Sequence, residues 1–293
     1  MDGTRKRLGH GALPTAMMVV AAASFVARSA RAQTYYIDET TDWTGNGCEA
    51  EDLPAVTAGI KANLDSRGWK GSRYLNVNAW PQDIVESCDA SYGANGDDAS
   101  FGDGADLLVE AGHGNTGFVA FGYQRNGMCT VDLGRTSNVS SYTGAARLGQ
   151  MDGARASIAM WLDCCTLKPA SLTAHANYQW VKQQVGFGGI ASFDADMVGA
   201  FVRNSGAPAR TGEISNVDAW LIAMEDKPGW FTGDNAPIVV SYGTTAAEAA
   251  GYDASLSLGS FQSPRTGGAT CGSGPRRFYY TYTWKDHGSA GCN

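Results

Sequence analysis

Apolar positions recur along the chain in two ways. Between Glu51 and Arg67, Leu53, Val56, Ile60 and Leu64 return at steps of three and four, and Gly68 follows. That pattern predicts an amphipathic helix closed by a glycine. Tyr74 to Trp80 (YLNVNAW) alternates and stops at Pro81, as a strand does. Two short apolar runs, Ala105 to Ala111 (ADLLVEA) and Ala156 to Leu162 (ASIAMWL), read as buried strands of a parallel sheet. Ser171 to Val185 reads as a helix and Gly188 to Phe193 (GGIASF) as a third buried strand. Further helices are expected at Asp196 to Asn204 and Asn216 to Met224, and a strand at Ile238 to Tyr242. Tyr279 to Trp284 (YYTYTW) reads as a late strand with room to run antiparallel. Strands alternating with helices predict an α/β fold, a mostly parallel sheet with helices on both faces.

The N-terminus reads as an address. Arg5, Lys6 and Arg7 precede an apolar run from Ala16 to Ala27, and Ala30-Arg31-Ala32 offers small residues for cleavage. Residues 1–32 are expected to be a signal peptide, cut between Ala32 and Gln33. Residues 33–293 then form a single α/β domain with a C-terminal aromatic, disulfide-tethered segment. The run is short of the ~20 residues of a membrane helix, so no span is expected after signal removal. The expected location is secreted or periplasmic.

Composition narrows the partners. With 43% apolar residues the chain can bury a full core, and its 38 glycines follow no collagen period. Loss of five basic residues and one acid with the signal moves the formal charge from −7 to −11. Nucleic acid and anionic membranes are therefore unlike partners. Seven cysteines in an exported chain predict disulfides and one thiol left over. Chain neighbours suggest Cys48–Cys88 and Cys271–Cys292, although spacing does not choose among the 15 pairings of six cysteines. Without C-x2-C or H-E-x-x-H, zinc is not expected, and no cofactor is assigned. The Gly93 to Gly104 loop carries Asp97, Asp98 and Asp103, which could take calcium. It lacks the spacing of a calcium loop, and a solvated turn is the plainer reading.

One constellation could carry chemistry. His113 stands just past one predicted buried strand and Cys165 just past another. Ligands bind beyond the carboxyl ends of parallel strands. If the two strands are neighbours, both side chains enter one crevice, where an imidazole can take a thiol's proton. Gly112 and Gly114 allow close backbone approach, and the amides of Gly114 and Cys165 could receive an oxyanion. His175 and His287 rank below His113, and Asn138-Val139-Ser140 matches a glycosylation acceptor. No G-x-S-x-G elbow and no G-x-x-x-x-G-K-[ST] loop is present.

The segments LLVEAGHGNTG (Leu107 to Gly117) and IAMWLDCCTL (Ile158 to Leu167) resemble the caspase–gingipain–legumain group of cysteine peptidases. Within it the chain looks most like a bacterial caspase-like family of unknown function, matched also by Trp180 and GFGGIASF (Gly186 to Phe193). The resemblance covers about Ala105 to Met224. It implies a caspase-like sheet, a polypeptide substrate, His113 as acid/base and Cys165 as nucleophile. Cys164 would fall at the variable position, facing away, buried or disulfide-bonded, with Cys129 as a candidate partner. Asp163 would line the pocket for an Arg or Lys before the cut, or else brace the turn. The expected function is thus a secreted cysteine endopeptidase using a His-Cys dyad. Two alternatives stay open: a non-catalytic caspase-like binding domain, with both cysteines structural, and a secreted polysaccharide hydrolase.

Overall fold

The computed structural model describes residues 32–44, 47–48, 50–87, 93, 95–133, 143–149, 156–174, 181–189, 191, 193–210, 212–225, 235–259 and 277–286. All of them belong to one compact unit, Ala32–Asn293. The expected signal segment up to Arg31, Cys88, Cys271, Cys292, Asn138, His175, Trp180 and His287 lie outside the described residues.

The chain opens with β1 (Thr34–Glu39), α1 (Ala58–Ser66) and β2 (Lys70–Leu75). The apolar runs become β3 (Leu107–Ala111) and, later, β8 (Ile158–Leu162), every residue of both buried. Between them lie β4 (His113–Asn115), β5 (Phe118–Arg125), β6 (Met128–Asp132) and β7 (Thr143–Ala145). After β8 come β9 (Gln183–Phe187), α2 (Ala195–Asn204), the short pair β10 (Pro208–Ala209) and β11 (Gly212–Glu213), and α3 (Asn216–Ala223). The last elements are β12 (Pro237–Gly243), α4 (Ala246–Ser255) and β13 (Tyr279–Trp284).

Seven strands form the central sheet in the order β13-β12-β9-β8-β3-β1-β2. The five from β2 to β9 are parallel, and β12 and β13 pair antiparallel at one end. Alternate strand residues feed two cores. Ile37, Val109, Met160, Val185 and Val239 meet the apolar faces of α1, α2 and α3 together with Leu256 at the end of α4. Tyr36, Leu108, Trp161 and Val240 meet Val119, Phe121 and Val131 of the second sheet, β4-β5-β6-β7. The expected α/β class and mostly parallel sheet are thus observed, with one correction. Among the described residues the four α-helices cover one face, and a small sheet covers the other.

Local chemistry explains where the elements start and stop. Asp194, Ser215 and Thr245 cap α2, α3 and α4 by accepting from the amides of Met197, Asp218 and Glu248. The first helix begins at Ala58 rather than Glu51. Its leading amides, Val56 and Thr57, donate to Glu39 at 2.5 and 3.0 Å, and Asp52 receives the Trp43 amide at 2.8 Å. β2 ends at Leu75 because Asn76 takes a positive φ of 51°, its carboxamide oxygen receiving the Thr41 and Asp42 amides. Residues 183–185 are strand, not helix. The described positions of the strand expected at Gly188 to Phe193 are not in a strand. Gln183 and Gln184 hid that strand: both are buried, reaching Ser241 at 3.0 Å and Tyr242 at 3.2 Å.

Candidate functional site

β3 and β8 are adjacent and parallel, with Ala111 opposite Leu162. The segments that follow them, Gly112-His113-Gly114 and Asp163-Cys164-Cys165, therefore leave the same sheet edge side by side. They touch at Gly114. A Cβ on Gly114 would lie 2.6 Å from the Asp163 Cβ, 2.8 Å from Thr166 Oγ1 and 3.1 Å from the Cys164 carbonyl oxygen. Only a residue without a side chain lets the two turns close on each other.

His113 is half-buried, in β4, opposite Ala120. Its ring meets Trp43 edge-on at 4.9 Å, and Nε2 is 2.8 Å from the Glu51 carbonyl oxygen. That contact requires the proton on Nε2, which leaves Nδ1 as the basic nitrogen. Trp43 and Glu51 belong to the loop after β1. The Cys48–Cys129 disulfide ties this loop to β6. Cys48 is thus paired with Cys129, not Cys88, and Cys129 is not the partner of Cys164.

The two adjacent cysteines exchange their expected roles. Cys165 is disulfide-bonded, 3% exposed, and held at a positive φ of 65°. Among the described residues Cys164 is the free cysteine. A sulfur in a disulfide is no nucleophile, so the expected free thiol at Cys165 is not found in this oxidised structure. The Cys165 amide donates to the Gly189 carbonyl at 2.7 Å, so it does not serve as the expected oxyanion donor. Cys164 Sγ accepts from the Ala191 amide at 3.3 Å. Burial, helped by the Asp163 charge, pushes its thiol up, with the Ala191 amide opposing. Cys164 thus makes its contact in the loop after β9, and His113 makes its contacts in the loop after β1, on the other flank of the β3–β8 pair.

Beneath the crest runs a row of acids that the sequence reading missed. Asp38 of β1 stands opposite Glu110 of β3, and Asp163 follows β8. All three are essentially unexposed. None of their six carboxylate oxygens meets an N–H or O–H donor in good geometry among the described residues. Burial pushes Asp163 up to about 7, opposed by a hydrogen bond with Glu110 and by the Gly112 amide. Burial and then the Asp163 charge push Glu110 well up, with Asp38 and Glu39 adding to it. Burial and Asp83 do the same for Asp38. Glu110 and Asp163 satisfy each other when one proton sits between them. Asp163 therefore faces Glu110 in the interior. The signal was present in the sequence: YYIDE and LLVEA each set an acid inside an apolar run.

Glu39, next to this row, has its own counter-charge in Arg73 at 2.5 Å and also accepts from the Thr57 hydroxyl. In the Gly/Asp loop, Asp98 and Asp103 are buried rather than solvated, and they receive the amides of Ser87 at 2.9 Å and Gly149 at 2.5 Å. Among the described residues no three acidic, histidine or cysteine side chains converge in a geometry that would hold a metal ion. No helix among them is long and apolar enough to cross a membrane. Compared with known proteins, the chain matches no family model and no curated sequence.

Proposed function

We propose that this chain is an exported cysteine endopeptidase of caspase-like layout held in a latent, oxidised state. His113 is the general acid/base and Cys165 the nucleophile once its disulfide is opened. The observation that carries this reading is the in-register pairing of β3 with β8, with Gly114 packed against Asp163. It brings the His-Gly and Asp-Cys-Cys turns to one crest at the carboxyl end of the sheet, where α/β folds bind ligands. A dithiol reductant supplies two electrons and two protons, leaving Cys165 and its partner as thiols and itself as a cyclic disulfide. Nδ1 of His113 then takes the Cys165 proton, the thiolate adds to the scissile carbonyl, and the Gly114 amide is the candidate donor to the oxyanion. His113 returns the proton to the leaving amine, and water releases the acyl group.

The test is cleavage of unstructured peptides containing Arg or Lys, before and after a dithiol reductant. Cleavage that needs reduction and is lost in Cys165→Ala and His113→Ala supports the proposal. Cleavage without reduction that is lost in Cys164→Ala moves the nucleophile to the neighbouring residue and overturns the latent state. A second reading, a non-catalytic exported binding domain, is favoured by one specific observation. Cys165, its amide, Cys164 and His113 Nε2 are all engaged elsewhere in the fold. No cleavage with or without reductant, in a protein that stays folded, decides for it.

A further inference from the structure

The central sheet has two edges, and among the described residues they differ in charge. β2 carries the exposed Lys70, a charged residue of the kind that keeps an edge strand from pairing with other chains. β13, at the other end, has no charge, proline or bulge from Tyr279 to Trp284. Among the described residues it presents the largest run of exposed aromatics: Phe278 is 64% exposed, Tyr279 51%, Tyr280 and Tyr282 41% each, and Trp284 42%. Alternation puts Tyr280, Tyr282 and Trp284 on one face, beside Tyr242, Val240 and Ile238 of β12. The other face carries Thr281 and Thr283, and Thr283 donates to Asp253 of α4 at 3.0 Å.

We infer that this edge pairs with the same edge of a second copy, joining two central sheets into one across a two-fold axis. An antiparallel strand pair related by such an axis keeps each face on its own side. Residues directly opposite each other must then share a face, so their numbers sum to an even value. The register centred on Thr281 meets this condition and uses the whole strand. It sets Phe278 against Trp284 of the second copy and Tyr280 against its Tyr282, each pair occurring twice, with Thr281 meeting Thr281 at the axis. Aromatic pairs and threonine pairs are the cross-strand contacts that stabilise antiparallel sheets. The exposed fractions, applied to the ~200 Å² an aromatic side chain buries, give roughly 500 Å² per copy. Buried completely in both copies, that surface comes to about 1,000 Å², which is the ceiling for this contact and the threshold of a specific interface. The stretch Phe278 to Trp284 is uncharged, so the acidity of the rest of the chain is not concentrated at this contact.

The mass in solution tests this, measured by sedimentation equilibrium from about 1 to 100 µM, the working range of a modest interface. The expected result is a concentration-dependent dimer. Tyr282→Lys, which installs the missing edge charge, is expected to return it to monomer with an unchanged circular dichroism spectrum. Thr281→Cys is expected to form an intermolecular disulfide between the two copies of position 281 under mild oxidation. A monomer throughout the range would falsify the inference. So would a dimer that survives Tyr282→Lys with no cross-link in Thr281→Cys, since its interface lies elsewhere. An edge occupied by a segment of the same chain gives a monomer and counts against the inference.

Discussion

Gly114 lies against Asp163 so closely that a methyl group on the glycine would sit 2.6 Å from the aspartate Cβ. This contact joins the turn after β3 to the turn after β8, and the second atom it would strike is Thr166 Oγ1 at 2.8 Å. Both turns are anchored in buried strands, so neither gives way freely. Gly114→Ala is expected to destabilise the fold by about 1–3 kcal/mol, as overpacking does. Urea unfolding reads this directly, and a midpoint unchanged from the parent chain would show that the turns can separate without loss.

The buried acid row sets a pH dependence. Asp163, Glu110 and Asp38 all have folded pKa values raised above those of the unfolded chain, first by burial. The folded state thus binds more protons than the unfolded one above about pH 4. Their contribution is fully present below the unfolded carboxylate range and falls away as pH rises through about 7, the value for Asp163. Each group changes stability by up to ~1.4 kcal/mol per pH unit across its window. Each kcal/mol moves Tm by ~2–4 °C in a chain of this size. Tm is expected to be several degrees higher at pH 5 than at pH 8, as read by calorimetry. Glu110→Gln, which keeps the shape and removes a titrating group, is expected to flatten that slope, with its gain largest at pH 8. A Tm that climbs from pH 5 to pH 8 contradicts the protonated row.

How much of this was legible depends on where each residue's partner lies. β3 and β8 could be read because burial on both faces makes them almost wholly apolar, Glu110 apart, and α2 and α3 because Asp194 and Ser215 cap them locally. β9 could not, since Gln183 and Gln184 are made tolerable inside by Ser241 and Tyr242, far along the chain. The polar edge strand β2 and the four-stranded sheet beneath the crest lack a strong period of their own. At the site, the apolar runs ahead of His113 and Cys165 marked two buried strands, but that these strands are neighbours came only from the pairing of β3 with β8. Which cysteine keeps its thiol did not, because pairing depends on contacts such as that of Cys48 with Cys129, 81 residues apart.

That disulfide closes a long loop, and it holds in place the segment that supplies the Glu51 carbonyl to His113. Cross-linking a loop of this length removes roughly 4–5 kcal/mol of unfolded-state freedom in the chain-entropy account. Cys129→Ser is expected to lose about that much stability, measured by denaturant unfolding under non-reducing conditions. The ring of His113 is expected to lose its fixed orientation with it, visible as exchange broadening of its imidazole resonances. A variant as stable as the parent would mean that the loop after β1 is held by Trp43 and Asp52 alone.

The reactivity of the cysteine pair separates the two sulfurs. Burial holds the Cys164 thiol above its ordinary range, so at neutral pH it is almost wholly protonated and reacts slowly. Iodoacetamide applied to the native, unreduced protein is expected to label Cys164 and to leave Cys48, Cys129 and Cys165 unmodified, as mapped by mass spectrometry of the digest. Because the reagent consumes thiolate, the labelling rate should still be rising at the pH where an unperturbed thiol is levelling off. Cys164→Ser should remove that adduct without creating one at Cys165. Rapid labelling at pH 7 would require an ion-pairing imidazole close to the sulfur, and the Ala191 amide contact would then not describe its resting position. An adduct on Cys165 in the unreduced protein would show that its disulfide opens without a reductant, and the latent state proposed for the peptidase would have no basis.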